Sequence, residues 1–213
     1  MSGAERLRAG VLYAIVDLGY IEACEVARVA ASLISGGVDI IQLRGKEQTV
    51  AELTKIAGEL HAITAAAGIP LVINDHPEIA RDIGAEGVHV GQEDLPVAEA
   101  RARAGGNCFV GKSTHSFAQA TQAAAEGADY IGFGPLFATP TKPDYAAIGL
   151  QQIRAVHAAL TLPIFCIGGI KHANLPEIMA AGARRVVIVS GLLLAPDIAE
   201  YARAAKSLLA AHS

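Results

Sequence analysis

One regularity limits what this chain can fold into: short apolar runs of strand length alternate with helical patterns from Val11 to Ala210 without a gap. Val11–Val16 (VLYAIV) is the first run, meeting Asp17 and Gly19 at its end. A helix follows over Ile21–Ser35, with Ala23, Val26, Val29, Ala30 and Leu33 at helical spacing, and Gly36-Gly37 stops it. Asp39–Leu43 is the second run; Thr49, with Glu52 three residues on, then caps a helix that buries Leu53, Ile56, Leu60 and Ile63 and ends at Gly68. The same reading gives strands at Pro70–Asp75, Gly87–Val90, Cys108–Gly111, Tyr130–Phe133, Pro163–Ile167 and Arg185–Val189. Between and after them come helices at Pro77–Ile83, Pro96–Ala104, Ser116–Glu126, Gly149–Leu160, Ala173–Ala181 and Asp197–Ala210. The runs are apolar throughout, as parallel strands covered on both faces must be. Eight strands, eight helices and no linker predict one (β/α)8 TIM barrel over residues 1–213, with 1–10 as an N-terminal extension, in preference to an open doubly wound sheet.

Composition narrows the function. With 52% hydrophobic and 18% charged residues in 213, the chain has material for a large core and is not disordered. The net charge of −4, without a basic cluster, disfavours nucleic acid as a partner, so any anion site must be local. No apolar run approaches the ~18 residues that cross a bilayer, and MSGAERLRAG has no apolar signal segment; no membrane partner and a cytoplasmic location are expected. Cys24, Cys108 and Cys166 are far apart, lack metal-ligand spacing, and read as reduced and mostly buried. Oligomeric state is left open, and a homo-oligomer is allowed.

In such a barrel the chemistry lies where strands end, so the residues after each run matter most. The second run leads into Gln42-Leu43-Arg44-Gly45-Lys46; period-two alternation puts Gln42, Arg44 and Lys46 on one side, suited to a polyanion such as diphosphate. Pairing of Arg44 and Lys46 with acids of the first helix is the competing reading. Asn74-Asp75 and Gly91-Gln92-Glu93-Asp94 end the next two strands. Two carboxylates brought together there call for a cation, and oxygen-only ligands favour Mg2+, held by Asp75 and Asp94; helix N-capping is the plainer alternative for each. Gly111-Lys112-Ser113-Thr114-His115-Ser116 supplies Ser113 as a phosphate donor, Ser116 as a cap, and His115 for proton transfer or a structural hydrogen bond. The sixth strand feeds a Pro-stiffened loop with Thr139, Thr141 and Lys142, an anion-binding set. Gly168-Gly169 and Val189-Ser190-Gly191 are the Gly-rich turns that hold phosphate after strands seven and eight.

Taken in order, QLRGK, VIND, GVHVGQED, GKSTHS, GFGPLFATPTKP followed by GL, CIGGI and VIVSG resemble the thiamine-phosphate synthase family over nearly the whole chain. The resemblance implies Mg2+-dependent coupling of an aminomethylpyrimidine diphosphate to a thiazole phosphate, with diphosphate released. It further implies Gln42, Arg44, Lys46 and Asn74 as pyrimidine-diphosphate ligands and Asp75 and Asp94 as Mg2+ ligands. Ser113 and Lys142 become diphosphate contacts, and Thr139, Thr141, Gly168, Gly169, Val189 and Ser190 hold the thiazole phosphate. Arg44, Lys46, Ser113 and Lys142 would carry the electrostatics of a dissociative substitution needing no nucleophile. The alternatives are a thiazole tautomerase, with His115 as proton carrier, and a non-catalytic barrel that binds thiamine precursors. An aldolase or isomerase reading is weak, because Lys46, Lys112 and Lys142 are read as loop residues in polar surroundings.

Overall fold

The computed structural model describes residues 2–139 and 146–211. Eight parallel strands close into a barrel in sequential order: β1 (Leu12–Asp17), β2 (Ile40–Arg44), β3 (Leu71–Asn74), β4 (Gly87–Val90), β5 (Phe109–Thr114), β6 (Tyr130–Phe133), β7 (Ile164–Cys166) and β8 (Val186–Ile188), with β8 pairing back onto β1. The helices are α1 (Gly3–Ala9), α2 (Val26–Ser35), α3 (Val50–Ala67), α4 (Pro77–Ile83), α5 (Val97–Ala104), α6 (Phe117–Ala125), α7 (Ile153–Ala159), α8 (Leu175–Ala180), α9 (Ser190–Leu193) and α10 (Ile198–Ala210). The TIM barrel expected from the alternation is thus the fold. Thr49 forms the anticipated capping box with Glu52, and Gly68 ends α3 in the left-handed conformation at φ 66°.

The boundaries move where local hydrogen bonding outweighs periodicity. The first crossover helix begins at Val26, because Glu22 and Glu25 close a preceding 3-10 turn. α7 begins at Ile153, since Gly149 turns the chain at φ 70°. β5 runs on to Thr114 because β6 offers it partners, Ser113 opposite Gly132 and Thr114 opposite Phe133. Two helices have no counterpart in the sequence reading. The segment taken as an N-terminal extension forms α1, whose Leu7 is buried among inward-facing barrel residues and closes the N-terminal end. α9 follows β8 directly and its N-terminus lies beside the C-terminal mouth.

Alternate strand residues divide the core in two. Leu12, Ala14, Ile41, Leu43, Val88, Val110, Ile131 and their equivalents face the helices. Tyr13, Ile15, Ile40, Val72, Phe109, Tyr130, Phe165 and Val187 face inward. Their rings interlock edge to face: Tyr13 and Tyr130 each meet Phe165 at 86°, with centroids 5.4 and 5.8 Å away. Inward glycines make room for them. A Cβ on Gly87 would lie 2.1 Å from the Phe109 ring, and one on Gly111 2.1 Å from Tyr130.

Two predictions follow from this packing. Gly111→Ala forces Tyr130 off its seat, a case of overpacking worth about 1–3 kcal/mol; the denaturation midpoint should fall with the m-value unchanged. His157 on α7 is the second case. Burial, then the Arg184 and Arg185 charges, push its imidazole down to about 4 from an ordinary 6.5. The unfolded chain takes up that proton before the folded one does. Stability is therefore complete above pH ~6.5, falls as acid approaches pH ~4, and levels off below. Urea melts across this window should show the slope, and His157→Leu should flatten it.

Candidate active site

The C-terminal ends of the strands enclose a cleft of about 910 Å³, counted out to its open rim. Gln42, Arg44, Asn74, Ser113, Thr139, Gly168, Gly169, Val189 and Ser190 all line it, so nine of the sequence-predicted ligands converge on one space. Lys46, Asp75 and Asp94 are not among the lining residues. Thr141 and Lys142 lie outside the described residues.

Arg44 closes β2, and its guanidinium donates to Asp17 Oδ2 at 2.6 Å. Asp17, the last residue of β1, is 1% exposed and also accepts from the Gly19 N–H at 3.0 Å. The pair is therefore strand end to strand end, and the competing reading, pairing of Arg44 with acids of the first helix, is not what forms. The cation is held at the cleft wall with nitrogens remaining for a ligand. Lys46 lies two residues past the end of β2, beyond Gly45, and does not line the cleft. Its ammonium group pairs with Asp75.

Asp75 has φ 63°, a left-handed conformation uncommon outside glycine, of the kind that recurs at functional sites. Asn74 Nδ2 donates to it at 2.6 Å. Burial chiefly, and then the neighbouring Asp94 carboxyl, raise its pKa against the opposing pull of Lys46. Neither acid is a helix cap. α4 is capped at His76 and α5 at Pro96, neither by a side-chain hydrogen bond, while Asp94 Oδ2 accepts from the Gly91 N–H at 2.7 Å. Among the described residues no three His, Cys, Asp or Glu side chains converge as a metal centre. The two adjoining carboxylates fit a hard cation that takes its other oxygens from water or ligand, since it would offset the burial and the Asp94 carboxyl that raise the Asp75 pKa.

On the opposite wall Gly168 and Gly169 have φ 98° and 66°. A Cβ on Gly168 would stand 2.4 Å from Pro135, so only glycine allows this turn against the loop after β6. Asn174 Nδ2 fixes it by donating to the Gly169 carbonyl at 2.9 Å. His115 donates through Nδ1 to the Gly134 carbonyl, a structural hydrogen bond of the kind that is one of the two sequence readings for it, and the residue lines the cleft. Lys112 is not a loop residue: it lies on β5, 6% exposed, on the helix-facing side with Nζ 3.4 Å from the Leu95 carbonyl.

A family model described as thiamine monophosphate synthase matches residues 12–192. The chain belongs to that family. A thiamine-phosphate synthase of Chloroflexus aurantiacus is 42% identical over 199 residues, covering 93% of this chain and 92% of the relative. One from Shouchella clausii is 40% identical, covering 94% and 95%. Among solved structures, a thiamine phosphate pyrophosphorylase from Pyrococcus furiosus superposes with a TM-score of 0.86 at 28% identity, covering 98% of each chain. A 3-hexulose-6-phosphate synthase, at 22% identity and a TM-score of 0.70, shares the fold alone. The family's activity makes this chain an enzyme of the transferase class, and the tautomerase alternative is not favoured.

Within this family site, sequence reasoning missed Asp17, Asn174, His89, Tyr13 and Tyr130. Asp17 was visible as a strand-end acid but had no partner to name. His89 stands inside GVHVGQED as an apparent strand residue; only barrel closure turns it into the cleft. Removing Asp17 leaves a largely buried guanidinium uncompensated. Asp17→Ala should cost about 3 kcal/mol, the lower end for a broken buried pair because Arg44 keeps some solvent; chemical denaturation measures it.

Proposed function

We propose that this chain joins 4-amino-2-methyl-5-hydroxymethylpyrimidine diphosphate to thiazole phosphate, giving thiamine monophosphate and diphosphate. The supporting observation is that one cleft brings together two sets of groups suited to anions. Arg44, tethered by Asp17, and the Ser113 hydroxyl form one set, and the Gly168-Gly169 turn with Val189 and Ser190 the other. A reaction that unites two phosphorylated molecules needs both, close together.

The pyrimidine's amino group feeds electrons into its ring, so the methylene–oxygen bond breaks first and the thiazole nitrogen attacks the resulting cation. No protein nucleophile takes part. Arg44 and the Ser113 hydroxyl donate to the leaving diphosphate, with Lys46 and Lys142 adding positive charge. Gln42 and Asn74 orient the pyrimidine end, and Thr139 and Thr141 join the Gly-rich turn around the thiazole phosphate. Asp75 and Asp94 would hold Mg2+, which neutralises diphosphate charge when bound. The apolar walls, Ile15, Ile167, Ile170 and Val187 among them, keep water from the cation. Both substrates are small molecules, and no helix among the described residues is long and apolar enough to cross a membrane; a cytoplasmic location is part of the proposal.

Incubation with both substrates and Mg2+ should give thiamine monophosphate and diphosphate in equal amounts, and EDTA should abolish both. Lys142→Ala and Asp94→Ala should each lower turnover by about a hundred- to a thousandfold, the weight of a single electrostatic donor. Wild-type turnover of either variant at saturating Mg2+ would remove that residue from the site.

A further inference from the structure

A continuous line of hydrogen bonds crosses the barrel beneath the cleft. Gln42 Nε2 lies 2.6 Å from the Tyr13 hydroxyl, which is 3.1 Å from the Tyr130 hydroxyl. Tyr130 is 2.9 Å from His89 Nδ1, and His89 Nε2 is 2.9 Å from Ser113 Oγ. Both tyrosines are 1% exposed, and the inward glycines seat the line: Tyr130 occupies the space above Gly111, and His89 lies 3.5 Å from where a Gly132 Cβ would be.

Hydroxyls and a neutral imidazole can each point either way, but an amide nitrogen can only donate. The later bonds follow in direction, because a buried phenol that did not pass its single hydrogen to the next member of the line would leave it unbonded. Tyr13 accepts from Gln42 and passes its one hydrogen to Tyr130, which passes its own to His89 Nδ1. With Nδ1 accepting, the imidazole is neutral and carries its hydrogen on Nε2, the rule by which one ring nitrogen's partner sets the state of the other. Nε2–H then donates to Ser113 Oγ. Burial pushes both phenols upward in pKa, so neither loses the hydrogen the line requires.

We propose that Tyr13, Tyr130 and His89 are positioning residues, a one-way hydrogen-bond line that begins at the Gln42 amide and commits the Ser113 hydroxyl to donate into the cleft, toward an anionic oxygen. A serine free to rotate is donor or acceptor; one already accepting from His89 has its hydrogen directed outward before the ligand arrives. The value of that direction for turnover rests on the proposed reading of Ser113 as a diphosphate contact. The direction itself does not.

Histidine-15N-labelled wild-type enzyme, with His89 identified by loss of its signals in His89→Gln, reads the tautomer by nitrogen chemical shift. The expected state is neutral with hydrogen on Nε2. Gln42→Glu replaces the only fixed donor with a group that accepts, so the line should reverse and the hydrogen should move to Nδ1. Tyr130→Phe should abolish the single-tautomer signature and lower kcat about tenfold, equivalent to ~1.4 kcal/mol, with KM little changed. Hydrogen on Nδ1 or on both nitrogens in the wild type overturns the proposal, as does an unchanged tautomer in Gln42→Glu. The wild-type spectrum decides even if Tyr130→Phe does not fold. If it shows Nε2–H while no thiamine monophosphate forms, the line is upheld and the proposed function is what fails.

Discussion

The interior of this barrel depends on a steric bargain between strands: an inward glycine on one lets an aromatic ring from the next lie flat across it. Gly87 receives Phe109 and Gly111 receives Tyr130, each at a separation no Cβ would tolerate. The rings then fill the lower barrel, with Phe165 set edge-on to both tyrosines. The polar layer above rests on this floor. Tyr13 and Tyr130 contribute their apolar bodies to the core and their hydroxyls to Gln42 and His89, so the groups that meet a ligand are oriented by packing below them.

Electrostatics at the mouth follows the same economy of position. Two cations there, among the described residues, each have a nearby acid: Arg44 has Asp17, and Lys46 has Asp75. The first pair is nearly sealed, whereas Lys46 is half exposed. At the proposed diphosphate site, a guanidinium held in the wall would serve as a fixed fork of donors and a half-exposed ammonium as a point charge. Asp75 combines positive φ, burial and a neighbouring carboxylate, three unfavourable features in one residue. Such concentration belongs to sites where binding compensates for the strain.

Much of this was legible beforehand. Parallel strands buried on both faces leave uninterrupted apolar runs, and crossover helices leave 3.6-residue spacing, so the order of elements could be read directly. Nine of the twelve predicted substrate ligands line one cleft because strand ends are close in space whenever the barrel closes. The departures have physical causes. β2 ends at Arg44, so regular strand alternation does not extend to Lys46. Lys112 looked like loop because a lysine rarely faces a helix layer, yet β6 pairs with β5 through Thr114. α1 is short, and its only inward anchor is Leu7.

The chain by itself determined the alternation, the closed barrel and the set of residues delivered to its mouth, since these follow from local periodicity and from where each run stops. It also carried the ordered motifs of its family. Partnership was decided by tertiary structure alone: Asp17 with Arg44, Lys46 with Asp75, Asn174 with the Gly169 carbonyl, and Gln42 linked to Ser113 through two tyrosines and a histidine. Those contacts join residues from different strands and loops. Their geometry is set by barrel closure and by the volume of side chains beneath them, neither of which leaves a periodic trace in the sequence.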